Sequence, residues 1–579
     1  MTAPALAISV STAISSGRGE LVNVRQRSLL MAKWRVLWVV AGFLLIALTA
    51  VLRLAFLGLF ANAPTHQDMA SALLPPRGDI VDRNGVPLAR AFPAYSLWYN
   101  PAALGEGGPP LVRKPAEVAA ALAAVFPDLD AQTVARRLAE GRPGYLRRRI
   151  LPEDANRIHQ LGEPALEFPR ETERFYPQGS MAAHVLGFVG ADGHGHIGME
   201  QVYDQRLTDP AQRGAPAVLS IDARVQGALE DELMKGMLES NAIGAAGIIL
   251  DVDTGEVLAL ASLPAFNPNL IDRAGEGHIF NRVTNQVYEL GSTFKPISVA
   301  AAIDAGVVTD MSRRYQSNRP LEIGGFAIRD SHSFGASLNV PESLVHSSNI
   351  VTAQIADQLG GQRLNATMRA LGMDQRPQIE LPARGMPIWP KGNWSRITTM
   401  TVSYGHGIAV TPLHLASAYA AMVNGGIWRP ATLQKVEPGQ AVPGRRVFKA
   451  STSARMRQLL RMIVDVGTGR KADAPGFRVG GKTGSAEKPG VGGYRRSSLV
   501  ATFAAAFPMD RPRYVVIAML DEPQGTAATS GQRTAAWNTA PIVGRVVPRI
   551  GPLLGIMPDA SHDVDISDIA PLVARGDGE

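Results

Sequence analysis

The chain has 579 residues and a mass of 61.7 kDa, too long for one ordinary core and enough for three or four units of about 150 residues. Apolar residues make up 46% and charged residues 19%, which excludes a disordered chain, while 58 glycines and 41 prolines suit a loop-rich α/β or α+β protein. Cysteine is absent, so disulfides, thiol nucleophiles and cysteine-based metal centres are excluded; of the net charge of +7, four charges fall in the first 35 residues (Arg18, Arg25, Arg27, Lys33 and Arg35 against Glu20), which leaves no basic stripe for nucleic acid.

Val36 to Leu52 is uncharged and almost wholly apolar. As a helix it spans about 25 Å at about 1.5 Å per residue. Leu54 to Phe60 extends the run past Arg53, to the ~30 Å of a bilayer core. A transmembrane helix is expected over 36–60. The basic flank precedes it, which places a tail of residues 1–35 in the cytoplasm and the remainder outside the inner membrane. Ala61-Asn62-Ala63 resembles a signal-peptide cleavage site, but Pro64 follows it and 35 residues is long for an n-region. The helix is therefore read as a retained anchor, and its one-sided basic flank argues against a buried core helix.

Residues 65–216 read as a mixed membrane-proximal module. PPRGDIVDRNGVPLAR at 75–90 pairs a strand-like run with an Asn84-Gly85 turn signal. AEVAAALAAVF, DAQTVARRLAE and EDANRIHQLG are short amphipathic helices. His194 and His196 in GHGHIG resemble a metal pair, but no carboxylate or cysteine partner is evident, so they are read as a loop.

A new unit is expected over 217–553. VLSIDARVQGALEDELMKGM is a strand followed by a helix, and GAAGIILDVDTGEVLALASL is a hairpin about Asp253-Thr254-Gly255. Apolar strands recur at 498–507 and 513–520. Strands at both ends with helices between predict an α+β fold, one antiparallel sheet with helices segregated from it. From Asp559 onward six acids stand against Arg575, so 554–579 is expected to be a flexible acidic tail.

Three motifs carry chemistry. In Ser292-Thr293-Phe294-Lys295 the serine and lysine share one helical face near a helix start. The positive end of the helix favours a developing alkoxide, and a lysine of lowered pKa can take the serine's proton. Only ten of the 58 basic residues are lysines, so a lysine kept here suits a task arginine cannot perform. Alone, Ser-x-x-Lys is weak, and a surface pair explains it as well. In Ser347-Ser348-Asn349 the hydroxyl of Ser347 can relay a proton and Asn349 can hold a substrate amide; an ordinary helix cap is the plainer reading. In Lys482-Thr483-Gly484-Ser485, read as a strand edge, Lys482 can meet a substrate carboxylate and raise the cost of protonating Lys295. Thr483 can bond that carboxylate, and Gly484 admits substrate to the backbone. A glycine turn is the alternative.

Order and spacing join the motifs: the Ser-x-Asn lies 55 residues past Ser292 and the Lys-Thr-Gly 190 past it. That set resembles the penicilloyl-serine transferases. RGDIVDRNGVPLA, RFYPQGSMAAHVLGFVG, GMEQVYD, YELGSTFKP, HSSN, SYGHGIAVTPLHLASAYAAMVNGG and GKTGS resemble the pedestal and transpeptidase motifs of class B penicillin-binding proteins. YELGSTFKP and GHGIAVTPL with one anchor look like the division-specific subgroup. No glycosyltransferase module is found before the pedestal.

The resemblance implies a peptidoglycan D,D-transpeptidase of septal wall synthesis, with carboxypeptidase activity as a side reaction. Ser292 would be the nucleophile and Lys295 the base, with Ser347, Asn349 and Lys482 in the catalytic set. Thr483 and Gly484 would bind substrate, and the backbone N–H groups of Ser292 and Ser485 would form the oxyanion hole. No cofactor or metal is implied. The implied partners are stem peptides, β-lactams, the membrane, a membrane glycosyltransferase and other divisome proteins. Alternatives are an elongation-type transpeptidase, a β-lactamase and an acylated receptor or scaffold. For a β-lactamase Glu380 would be the base to consider, although QIELPARG lacks that class's Glu-x-x-x-Asn. His406 is read as a structural part of its glycine-rich turn.

Overall fold

The computed structural model describes residues 24–60, 77–105, 109–190, 192–490 and 493–573. The Ala61-Asn62-Ala63 site lies outside them. The chain divides near residue 73 into two compact units. In the first, helix α1 runs Val24–Phe60, and Met31–Ala55 has a mean hydropathy of 2.3, long and apolar enough to cross a membrane. The helix begins twelve residues earlier than the tail boundary at 35 allows. No proline or glycine interrupts VRQRSLLMAKWR, so nothing there stops the helix.

In the second unit, β1 (Ile80–Val81) and β2 (Pro87–Tyr99) flank the Asn84-Gly85 turn. Helices α2 (Pro115–Val125), α3 (Ala131–Ala139) and α4 (Pro152–His159) are the expected three. β3 (Gly144–Ile150), β4 (Leu166–Glu167) and β5 (Arg170–Phe175) all pair antiparallel with the long β2. The three pedestal motifs meet in one buried cluster. Glu200, fully buried, accepts from Arg77 at 2.8 Å and Arg174 at 2.6 Å, and Arg77 also reaches Asp204 at 2.7 Å. Removing one member would leave an uncompensated buried charge, which is how such a cluster fixes the crossing of three distant segments. His194 and His196 each face a carboxylate after all, Asp204 at 2.8 Å and Asp192 at 3.1 Å, as two separate pairs.

Strand pairing and a buried carboxylate weld this module to the C-terminal part of the unit. β1 pairs in parallel with β6 (Ala217–Val218). The Asp82 carboxylate accepts from Asn84 and Val86 in its own turn and from the N–H of Ala223, the first residue of α5 (Ala223–Glu239). The central sheet then forms from β7 (Gly244–Asp251), β8 (Val257–Leu263) and, over 200 residues later, β9 (Gly480–Gly490), β10 (Gly493–Phe507) and β11 (Tyr514–Asp521). Its order is β9-β10-β11-β7-β8, antiparallel throughout. Both faces are covered: Ala245 and Ile249 join α5 and the C-terminal helix Thr539–Ile550 in one core, and Ala246, Ile248 and Leu250 join the helical core that also holds Leu290 and Phe294. That explains why these strands read as continuous apolar runs.

The acidic tail is a correction. Residues 554–573 pack down, with Ile569 1% exposed and Val573 7% exposed in the main core. Arg455, Gln458 and Arg461, one face of the helix Ala450–Asp465, hold Asp568, the Asp565 carbonyl and Asp563. Two of the acids that suggested a solvated tail, Asp563 and Asp568, are half of a charged seam whose other half lies about a hundred residues upstream; residues 574–579 lie outside the described residues. We expect Ile569→Ala to cost about 2–5 kcal/mol of stability in denaturant unfolding; a loss under ~0.5 kcal/mol would mean that the segment is not packed.

Candidate active site

Gly291–Phe294 forms a 3₁₀ turn that runs into α6 (Lys295–Asp304), so Ser292 and Lys295 lie one turn apart. The turn is pinned from behind. The Thr293 hydroxyl donates to the Leu290 carbonyl at 2.9 Å, and Tyr419 donates to the Thr293 carbonyl at 2.9 Å. Tyr419 belongs to the helix Pro412–Val423, every residue of which is buried. Gly405, at φ +82°, passes so close that a Cβ there would lie 2.2 Å from the Gly291 carbonyl oxygen, so only glycine fits.

The short helix α7 (Val340–Val345) and α8 (Asn349–Leu359) are separated by a bend in which Ser347 has φ +62°. This left-handed conformation is costly for serine. It turns the Ser347 carbonyl and hydroxyl toward two lysines. Lys295 Nζ donates to the carbonyl and, at 3.1 Å, to Oγ; Lys482 Nζ donates to the same Oγ at 2.9 Å. Both lone pairs of that hydroxyl are thereby occupied, and its own proton remains to be donated.

Lys482 and Thr483 lie on β9, an edge strand. Lys482 also donates to the Thr483 carbonyl at 3.0 Å, and the Thr483 and Thr468 hydroxyls are 2.9 Å apart. A Cβ on Gly484 would lie 2.4 Å from the Leu290 carbonyl oxygen, so its absence lets the strand lie directly against the serine turn. The unpaired side of an edge strand has free backbone N–H groups. The Ser485 hydroxyl accepts from the Ala535 N–H at 3.0 Å.

Lys295 and Lys482 are both fully buried. Burial lowers Lys295 well below the usual lysine range; the Lys482 charge lowers it further and Asp330 opposes both. Burial brings Lys482 down to about 7. Neither behaves as a permanently charged surface lysine.

Four expected residues are thus joined in one hydrogen-bonded set: Lys295, Ser347, Lys482 and Thr483. Asn349 stands just outside it, its Nδ2 donating to the Arg329 carbonyl at 2.9 Å. Asp330 and Thr468 were not foreseen. A lone Asp 18 residues before Ser348 and a Thr in DVGTGRK carry no periodic or motif signal. Glu380 accepts from Thr432 at 2.5 Å and from the Leu433 N–H at 2.8 Å, and so holds the segment at 432–433. His406 lies partly buried in its glycine turn, with its ring 5.6 Å from that of Tyr494, and burial lowers its pKa. Among the described residues no cluster of His, Asp or Glu suited to a metal occurs.

A serine one turn from a buried lysine, faced by a Lys-Thr-Gly edge strand of an antiparallel sheet, is an arrangement suited to serine acyl transfer. The family comparison agrees: the penicillin binding protein transpeptidase domain model matches residues 245–542, and the penicillin-binding protein dimerisation domain model matches 72–212. The chain belongs to the penicillin-binding protein transpeptidase family. It is 39% identical over 508 residues to the probable peptidoglycan D,D-transpeptidase FtsI of Caulobacter vibrioides, covering 86% of this chain and 85% of that one. It is 31% identical over 530 residues to peptidoglycan D,D-transpeptidase FtsI of Escherichia coli K12, covering 87% of each. Among solved structures it resembles penicillin binding protein 3 of Mycobacterium tuberculosis complexed with aztreonam, with a TM-score of 0.65 at 25% identity over 84% of this chain and 98% of that one.

Proposed function

We propose that this chain is a peptidoglycan D,D-transpeptidase that cross-links stem peptides during septal wall synthesis and is acylated by β-lactams. The observation that carries the reading is the single Ser347 hydroxyl shared by two buried lysines beside the Ser292 turn.

Ser292 attacks the carbonyl between the two terminal D-alanines. Neutral Lys295 takes its proton, and the Ser347 hydroxyl passes a proton on to the leaving amine. The N–H groups of Ser292 and of Ser485 on the edge strand hold the oxyanion. Lys482, Thr483 and, through Thr483, Thr468 meet the terminal carboxylate; its arrival restores the proton that burial makes Lys482 hold weakly. Asn349 holds the substrate amide through its side-chain oxygen, and Gly484, with no Cβ to strike the Leu290 carbonyl, keeps the edge strand against the Ser292 turn. An amine of a second stem then takes the acyl group from Ser292. Helix α1 anchors the chain in the inner membrane as a single span, with the N-terminus cytoplasmic and the catalytic unit periplasmic. The implied partners are a membrane glycosyltransferase and other division proteins. The septal assignment leans on the two FtsI relatives.

A hydrolase needs a base that activates water at the acyl-enzyme, and the Glu380 carboxylate is already spent on Thr432 and Leu433. The test is the lifetime of the penicilloyl- or thioester-derived acyl-enzyme with and without a D-amino acid as amine. Adducts stable in water for many minutes, with thioester turnover only when amine is present, are expected. Loss within seconds in water alone would mean a β-lactamase. A permanent adduct with no turnover of any donor would mean a receptor.

A further inference from the structure

Among the described residues Lys482 from β9 and Asp330 from the loop after the hairpin Leu321–Ile323/Phe326–Ile328 act on the Lys295 proton, and the Lys295 charge also reaches the His406 ring in its glycine turn. Asp330 belongs to none of the three motifs. Its carboxylate nevertheless makes two bonds to the second motif and a third to Ile350, the residue that follows it. Oδ1 accepts from the N–H of Asn349 at 2.5 Å and of Ile350 at 3.1 Å, and Oδ2 accepts from the Ser348 hydroxyl at 2.6 Å. The adjacent Arg329 carbonyl takes the Asn349 amide. Ser348 is the N-cap of α8 and also accepts from the Val351 N–H at 3.1 Å. Asp330 is therefore an outside cap, which satisfies the first N–H groups of α8 from a segment 18 residues upstream.

The consequence falls on Ser347. It is held at φ +62°, a conformation serine leaves readily unless its neighbours prevent it. On its C-terminal side the next three residues are all fastened to Asp330. On its N-terminal side α7 is fixed by the capping box of Asn339 with Glu342. The same carboxylate that locks this bend lies near enough to Lys295 to oppose the effects of burial and of Lys482.

We propose that Asp330 is a positioning residue of the acylation step, which locks the Ser347 bend between the two lysines with its charge facing the base. The proposal rests on Lys295 being the base. A negative charge favours the protonated amine, so Asp330 keeps Lys295 a stronger base than burial alone would leave. Without that charge the lysine stays neutral to lower pH but accepts the serine's proton less readily.

The experiment uses the full chain in detergent, with second-order acylation by a fluorescent penicillin measured from pH 5 to 10. Asp330→Asn keeps an oxygen for the two N–H groups and removes the charge. Its acid limb is expected to move down by about one pH unit, with a plateau lowered two- to tenfold. Asp330→Ala removes the lock as well and is expected to lose tenfold or more at every pH, while Asp330→Glu restores the wild-type acid limb. If Asp330→Ala fails to fold, the Asp330→Asn profile alone decides. An Asp330→Asn profile that superimposes on wild type, or an Asp330→Ala rate within twofold of it, would overturn the proposal. A wild-type profile with no acid limb would remove Lys295 as the base and this proposal with it, whereas amine-dependent turnover of the acyl-enzyme would leave the transpeptidase reading standing.

Discussion

Ser292→Ala is expected to abolish covalent labelling by penicillin, with a rate loss on the order of 10⁶, as removal of a serine nucleophile gives elsewhere. The substitution deletes one oxygen from a partly buried position at the end of the turn and leaves the Lys295–Ser347–Lys482 set in place. The fold should be untouched, and the thermal midpoint should stay within ~1–2 °C of wild type. Intact-mass measurement after incubation should find one adduct per wild-type chain and none on the variant, and peptide mapping should place that adduct in YELGSTFKP. The chain offers rival hydroxyls close by. Ser347 lies between the lysines, and Ser485 lies on the strand beside Gly484. An adduct on either would overturn the assignment of the nucleophile while leaving the cleft correctly located.

Much of this site is legible in the sequence because its chemistry is local. The proposed nucleophile and base share one helical turn, so they appear as Ser-x-x-Lys. A strand that lies directly against the serine turn needs a residue without a Cβ there, so it appears as Lys-Thr-Gly. The sheet is legible for a related reason: strands covered on both faces have no polar side to display, and 498–507 and 513–520 stand out as apolar runs. What escapes is whatever joins residues distant in the chain. Asp330 caps a helix that begins at Asn349, and nothing in FAIRDSHSFG marks that destination. Asp563 and Asp568 look like the charges of a solvated tail until Arg461 and Arg455 are seen opposite them. The aspartate of His194 was hidden in the same way, over a shorter separation, whereas Asp192 stands only four residues before His196. Asp204 lies ten residues from His194, a spacing no metal or pairing rule singles out.

Lys295→Arg is expected to be nearly inactive although it keeps the charge and the approximate length. The side chain is fully buried, and burial together with the Lys482 charge lowers its pKa. A lysine whose pKa is lowered in this way gives up its proton more readily and can accept the serine's; an arginine cannot lose its own. Loss of a general base costs about 10²–10⁴ in rate, and acylation within tenfold of wild type would show that Lys295 is not the base. The pH dependence sharpens the test. In the wild type, acylation should rise with pH as Lys295 loses its proton. With carboxylate-bearing donors it should fall again once Lys482, at about 7 before donor binds, can no longer be held protonated. The two lysines share one hydroxyl, so the limbs belong to the pair rather than to either residue. Lys295→Arg should lose the acid limb and keep whatever remains of the alkaline one. Replacing the lysine with an apolar side chain should move stability in the opposite sense to activity. The folded state holds Lys295 below the unfolded value of 10.5, so between the lowered folded value and 10.5 the unfolded chain binds more protons and wild-type stability rises with pH across that window. Lys295→Met removes that cost and should unfold at higher denaturant than wild type at pH 7, with the difference shrinking toward pH 10.5, while acylating no better than Lys295→Arg. A Lys295→Met chain less stable than wild type at pH 7 would mean that the lysine is charged and well paired in the folded protein, and therefore no base.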